Sequence, residues 1–187
     1  MGPGLFSLIS NYCLDMSIKI YDTLTKQIRA LQPIDSRQVK MYVCGPTVYD
    51  DPHIGHLRSA YVFGVICNVL KQSYPVQFVR NVTDIDDKII ERAANEKVST
   101  RDLADKYLES YKKTLKRLGI CEPDHEPKAT QHIDDMIRMI AELIEHGSAY
   151  PAAGNVYFRV RSFVPYGELS HQRIDEMMES VRIERGE

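Results

Sequence analysis

The chain has no tryptophan, no Cys-x-x-Cys pair and no excess of positive charge. Each absence excludes something. The four cysteines stand at 13, 44, 67 and 121. Their spacing does not form a disulfide framework, which points to a reducing compartment, the cytoplasm. Lys and Arg total 24 against 26 Asp and Glu, a formal net charge of −2. A protein that holds nucleic acid by phosphate neutralisation alone is normally basic, so any such contact here must be local. No apolar run reaches the roughly 18–20 residues of a membrane span, and no membrane partner is expected. No basic residue precedes Lys19, which argues against a secretory or transit leader. Neither G-x-G-x-x-G nor G-x-x-x-x-G-K-[ST] occurs, so the common glycine-rich phosphate loops are excluded.

With 43% hydrophobic and 27% charged residues in 187, the composition suits one domain with a real core, or one domain plus an insertion. Ile18–Leu24 reads as a short strand or arm. Lys40–Cys44 reads as a buried strand. Gly45-Pro46 and Asp51-Pro52 make 45–56 a loop. His56 to about Lys71 reads as a helix, with Leu57, Tyr61, Val62, Val65, Ile66, Val69 and Leu70 as a wide apolar stripe. Val76–Val82 is a second apolar strand. Residues 40–82 thus have the length and order of a βαβ unit with a parallel pair of strands.

Asp84–Asn95 reads as a helix with Asp86 and Asp87 in its first turn, where the dipole favours acids. Ser99 and Asp102 resemble a capping box, and the helix behind them carries Leu103, Tyr107, Tyr111, Leu115 and Leu118 up to Gly119. Residues 120–129, with two prolines, read as a linker. A further helix runs from near Thr130 to Gly147, with Ile133, Met136, Ile137, Ile140, Leu143 and Ile144 on one face. Residues 149–160 read as a hairpin in which Val156, Phe158 and Val160 alternate.

The loop carries the chemistry. A parallel strand that ends at a helix N-terminus is where α/β proteins bind phosphates. Here it brings His53 and His56 to that position, with Gly55 between them to let a ligand approach the backbone. Two histidines there could stabilise charge in a phosphoryl or nucleotidyl transfer. They could equally cap a helix and bind nothing.

The segments VKMYVCGPTVYDDPHIGHLRS and FVRNVTDIDDKIIERA, followed by EPKATQHI, LIEHGSAY and YGELS, resemble the N-terminal catalytic part of cysteinyl-tRNA synthetases, class I aminoacyl-tRNA synthetases. His53–His56 matches the HIGH motif of that class. The resemblance covers roughly residues 17–181. It implies an α/β fold: the first half of a Rossmann-like nucleotide-binding domain (16–96), then a mainly helical connective insertion with a β-hairpin (97–187). Residues 1–15 are an N-terminal extension expected to be disordered.

The resemblance also assigns residues. Cys44 would ligate a zinc ion that binds the thiolate of substrate cysteine and so rejects serine. Cys44, Thr47 and Thr83 would line the amino-acid pocket. Gly45, His53, Gly55 and His56 would bind ATP, with His53 and His56 catalytic and Mg2+ accompanying the ATP. Asp84, Asp86 and Asp87 are given a structural role and no metal. Cys13, Cys67 and Cys121 have no functional reading, and His132 and His146 are placed at the surface. The implied activity is conversion of cysteine and ATP to cysteinyl-adenylate, then transfer to tRNA(Cys), by a monomer.

In this family a W-H-I-E-C segment, an H-x-x-x-E segment and a KMSKS lysine loop follow. None occurs here, so the chain by itself is expected to be incomplete and inactive. An apolar helix face and a strand edge are expected to lie uncovered. Two alternatives stay open: a cysteine:aminosugar-inositol ligase of mycothiol synthesis, whose first loop reads closer to CGITPYD, and a non-catalytic synthetase-like binding module.

Overall fold

The computed structural model describes residues 17–175. Expectations for residues 1–15, for Cys13 and for the tail beyond 175 lie outside the described residues. The described residues form two compact units, one of residues 33–162 and one that joins 17–32 with 163–175.

In the larger unit, β3 (Val39–Val43) pairs in parallel with β4 (Val76–Arg80), from Val39 opposite Val76 to Val43 opposite Arg80. The crossover is α1 (Ile54–Leu70). This is the expected βαβ unit. Strand β3 is not buried throughout: Val39 and Val43 are, while Lys40 and Tyr42 face out. Alternation along a pleated strand accounts for this.

Helix α1 differs from its reading in two ways. It begins at Ile54, because His53 serves as the N-cap. Its buried residues are Ala60, Gly64, Cys67 and Leu70, whereas Tyr61, Val62, Val65, Ile66 and Val69 of the expected stripe are exposed. The helix is apolar on nearly every side, so periodicity could not choose the packed face. Small residues set it, since they let the helix axis approach its neighbours closely.

Residues 120–129 are more than a linker. Asp124 N–H donates to the Phe78 carbonyl at 2.8 Å, Arg80 N–H to His125 at 3.1 Å, Val82 N–H to Pro127 at 2.8 Å, and Ala129 N–H to Val82 at 3.0 Å. The segment therefore runs beside β4 in parallel. Pro123 and Pro127 hid it from the sequence reading, but Pro127 needs only its carbonyl here, so the missing N–H costs nothing.

Helix α2 (Asp87–Glu96) starts at the Asp86 cap and ends at Lys97, which has φ +57°. Helix α3 (Thr100–Arg117) starts at Ser99, whose Oγ accepts from Asp102 N–H at 3.0 Å. Leu103, Tyr107, Tyr111 and Leu115 are buried as expected, whereas Leu118, already past the helix, is exposed. The main core joins Val48, Val82, Ile89, Ala93, Leu103, Tyr107 and Leu108. It crosses residue 96, so α2 and α3 pack together within this unit. A second cluster, Val43, Cys67 and Phe78, lies between α1 and the strands.

A 3-10 turn (Ala129–His132) leads into α4 (Ile133–Glu145). Of its expected apolar face, Ile133, Met136, Ile137, Ile140 and Ile144 are exposed. The hairpin follows as β5 (Ala149–Ala152) and β6 (Asn155–Phe158), with Ala153 and Gly154 both at positive φ in the two-residue turn. Val156 and Phe158 on β6 are exposed. In the smaller unit, β1 (Lys19–Asp22) and β2 (Gln27–Ala30) form an antiparallel hairpin. His171 there meets the Thr23 carbonyl through Nε2 at 2.7 Å.

Candidate functional site

The carboxyl end of β3 and the amino end of α1 enclose a cavity of about 150 Å3. Cys44, Gly45, Gly55 and His56 line it, together with Pro46, Ser59, Ala60, Arg80 and Tyr111. Four of the seven residues singled out from the sequence thus share one cavity. His53, Thr47 and Thr83 stand outside that lining.

The loop that makes the cavity is fixed at both ends. Gly45 N–H donates to Asn81 Oδ1 at 2.7 Å. A Cβ on Gly45 would lie 1.6 Å from the Asn81 carbonyl oxygen, so only glycine fits. Beyond it the strands continue their ladder: Thr83 N–H donates to the Pro46 carbonyl at 3.1 Å, and Val48 N–H to Thr83 at 3.2 Å. Thr47 and Thr83 are direct bridge partners in that ladder. At the far end, Asp50 pairs with Arg92 at 2.6 Å, and Asp51 Oδ1 accepts from Ser110 Oγ at 2.5 Å. Arg92 also reaches Glu96 and the Tyr107 hydroxyl, each at 2.8 Å. Helices α2 and α3 therefore brace the loop from below.

The two histidines act as a pair. His53 Nδ1 accepts the Gly55 N–H at 3.0 Å. With Nδ1 accepting, neutral His53 carries its proton on Nε2. The rings of His53 and His56 stack, with centroids 3.8 Å apart and planes 23° apart. Burial, followed by repulsion from His53, holds the His56 imidazole below the ordinary histidine pKa. The first-turn N–H groups of Ile54 and His56 have no intrahelical partner. The junction thus offers an N–H donor on His53, two backbone donors and the positive end of a 17-residue helix. That arrangement can hold an anion and receive negative charge that develops on it.

Sequence reasoning missed Arg80 and Tyr111. Arg80 is 3% exposed, pairs with Glu126 at 3.0 Å, and lies over the Tyr111 ring at 5.4 Å. Its Nε–H is buried without a hydrogen-bond partner. Lys112 contacts the same Glu126 carboxylate. The signal was present: a charged residue that ends a strand beside the core residues Phe78 and Val82.

The Cys44 thiol is free and exposed, unlike a small apolar residue tucked at a strand end. Among the described residues no three His, Cys, Asp or Glu side chains converge as metal ligands. Zinc usually takes four ligands, so these residues do not by themselves fit a zinc ion. The aspartates have other work. Asp84 accepts from Thr130 N–H at 2.9 Å and from its hydroxyl at 2.5 Å, and Asp86 caps α2.

A family model described as the class I (C) tRNA synthetase catalytic domain matches residues 30–187. The chain belongs to this family. It is 47% identical over 172 residues to a cysteine–tRNA ligase of Caulobacter vibrioides, matching 90% of this chain and 37% of that protein. A cysteine–tRNA ligase of Desulfotalea psychrophila is 48% identical over 169 residues, again with 90% of this chain and 35% of the relative. The chain therefore spans a little over a third of the length of these relatives. Among solved structures, a methionyl-tRNA synthetase of Mycobacterium tuberculosis in complex with methionyl-adenylate aligns with a TM-score of 0.53 at 22% identity, over 59% of this chain and 23% of that one. A leucyl enzyme of Agrobacterium radiobacter in a ternary complex aligns at 0.52 and 17% identity, over 64% of this chain and 16% of that one. These alignments establish the α/β fold of a class I synthetase catalytic region. No helix among the described residues is long and apolar enough to cross a membrane.

Proposed function

We propose that these residues form the cysteine- and ATP-binding part of a cysteine–tRNA ligase. The observation that carries the reading is the shared cavity of Cys44, Gly45, Gly55 and His56. It sets a free thiol beside a helix N-terminus in a chain that belongs to the class I (C) synthetase family.

The reaction joins the carboxylate of cysteine to the α-phosphate of ATP, releases pyrophosphate, and then passes the cysteinyl group to tRNA(Cys). Phosphate oxygens would meet the His53 Nε2–H, the free N–H groups of Ile54 and His56, and the helix dipole. His56, whose cation is disfavoured by burial and then by His53, would stand on the phosphate side of the pocket. Gly55 keeps the backbone open to the phosphate. Cys44 would face the substrate side chain, and Thr47 and Thr83 would close the pocket on that flank. Cys44 could give one ligand to a zinc ion, which would supply recognition of the substrate thiolate. Mg2+ would accompany ATP. The proposed setting is the cytoplasm, with the protein acting as a monomer.

The test is ATP–pyrophosphate exchange by the full-length gene product. Exchange that depends on cysteine and is not supported by serine is the expected result. Exchange driven equally by serine, or by another amino acid, would overturn the assignment.

A further inference from the structure

Outside this site, Cys67 Sγ and Cys121 Sγ lie 3.6 Å apart, in contact but not bonded. They come from elements distant in the chain. Cys67 belongs to the packed face of α1, and Cys121 opens the segment that runs beside β4. Cys67 is fully buried with Val43 and Phe78, and Cys121 packs against that cluster while remaining half-buried. Cys121 is therefore the partly exposed residue of the pair, and Cys67 is not exposed at all.

The seam between the two elements is tight. A Cβ on Gly64 would lie 3.2 Å from Ile120 Cγ2 and 3.7 Å from the Cys121 nitrogen. The backbones are thus already close, and a disulfide bond of about 2.05 Å asks the two sulfurs to close by roughly 1.5 Å.

We propose that Cys121 is a redox-modification site and Cys67 its resolving partner, so that oxidation forms a reversible disulfide clasping α1 to the segment 120–129. With a small-molecule disulfide as oxidant, the Cys121 thiolate attacks one of its sulfurs and expels one thiol. Cys67 then attacks Cys121 Sγ in the mixed disulfide and expels the second thiol. Two protein thiols become one disulfide, and the oxidant leaves as two thiols that carry the two protons.

The order follows from access and ionisation. Burial, with the Cys121 contact next, pushes the Cys67 thiol up to about 11; Asp124 raises it further and Lys71 opposes. Burial thus disfavours the Cys67 thiolate, and Cys121, the partly exposed member of the pair, is the one that meets the oxidant first. The clasped segment includes Glu126, the partner of Arg80 in the cavity wall. Oxidation thus ties the helix that carries His56 to the strand-like segment that supports Arg80.

The experiment treats the full-length protein with oxidised glutathione, blocks remaining thiols and maps the peptides by mass spectrometry. The expected product is a cross-linked pair holding Cys67 and Cys121, lighter by two hydrogens and released by dithiothreitol. Cys67→Ala, which keeps the buried position apolar, should instead leave Cys121 carrying glutathione. Cys121→Ser should leave Cys67 unmodified. A glutathione adduct on Cys121 without cross-link in the unsubstituted protein would overturn the proposal. So would a cross-link from Cys121 to Cys44 in place of Cys67, or no reaction at either residue.

Discussion

Gly45 and Asn81 touch twice: the glycine N–H donates to Asn81 Oδ1 at 2.7 Å, and the glycine Cα faces the Asn81 carbonyl so closely that a Cβ would sit 1.6 Å from its oxygen. This contact lays the loop after β3 against the end of β4, beside the cavity that Gly45 lines. The two halves of the contact differ in energy, which sets an order for substitutions. Asn81→Ala leaves a part-buried N–H without its acceptor, at about 1–3 kcal/mol. Gly45→Ala forces the strands apart and should cost more. Urea denaturation of the two variants checks the order, and equal losses would contradict it.

His56 should titrate below 6.5, the ordinary histidine value, because burial and then the neighbouring His53 disfavour its cation. The unfolded chain therefore takes up this proton first as the pH falls. This contribution makes folding weaker as the pH drops through about 6.5, and leaves it unchanged above. His53→Asn removes the lesser cause, so the His56 midpoint should rise part of the way back. NMR titration of the His56 ring protons reads both values. A midpoint above 6.5 in the unsubstituted protein is the opposing outcome.

Arg80 is buried, and its partner Glu126 is nearly so, with side-chain exposures of 3% and 13%. Breaking such a pair from one side costs about 3–5 kcal/mol, since the remaining charge stays buried. Arg80→Met should approach that range. Lys112 also meets the Glu126 carboxylate, so the loss should fall at the lower end. Lys112→Met alone, at a half-exposed position, should cost under about 1 kcal/mol. Thermal and denaturant unfolding of both variants separate the two figures.

Gly55→Ala should act through His53. A Cβ there would lie 2.9 Å from His53 Cε1 and 3.0 Å from Nδ1, the atom that caps α1. The ring must turn away, which removes the cap at about 1 kcal/mol. It also moves the Nε2–H donor and breaks the stack on His56. The expected result is a modest loss of stability with a much larger rise in the KM for ATP. An unchanged KM for ATP would contradict the role given to His53.

The βαβ unit, the Ser99 cap, and the buried row Leu103, Tyr107, Tyr111 and Leu115 were legible because local rules governed them: alternation, capping chemistry and 3.6-residue spacing, whereas Asp86, read as a first-turn residue, is the cap of α2. The packed face of α1 was not legible. Val and Ile surround that helix, so the pattern held no direction, and the small residues Ala60 and Gly64 decided it through tertiary approach. The strand-like role of 120–129 was hidden by prolines whose N–H was never needed. For the site, the family resemblance singled out Cys44, Gly45, Gly55 and His56, and the fold brings these four to one cavity. Arg80 and Tyr111 reach the same cavity from β4 and α3, and only folding brings them there. An uncovered apolar face on α1 was expected; that Tyr61, Val62, Val65, Ile66 and Val69 form it, and not the packed side, was not.

The central claim is a division of labour within one cavity, with Cys44 on the amino-acid side and His56 on the phosphate side. Steady-state ATP–pyrophosphate exchange with full-length Cys44→Ser and His56→Asn, each with cysteine and ATP varied in turn, tests it most directly. Cys44→Ser should raise the KM for cysteine and erode discrimination against serine while the KM for ATP holds. His56→Asn should lower kcat and raise the KM for ATP while the preference for cysteine holds. Two variants that lose both substrates alike, with folding intact, would contradict it.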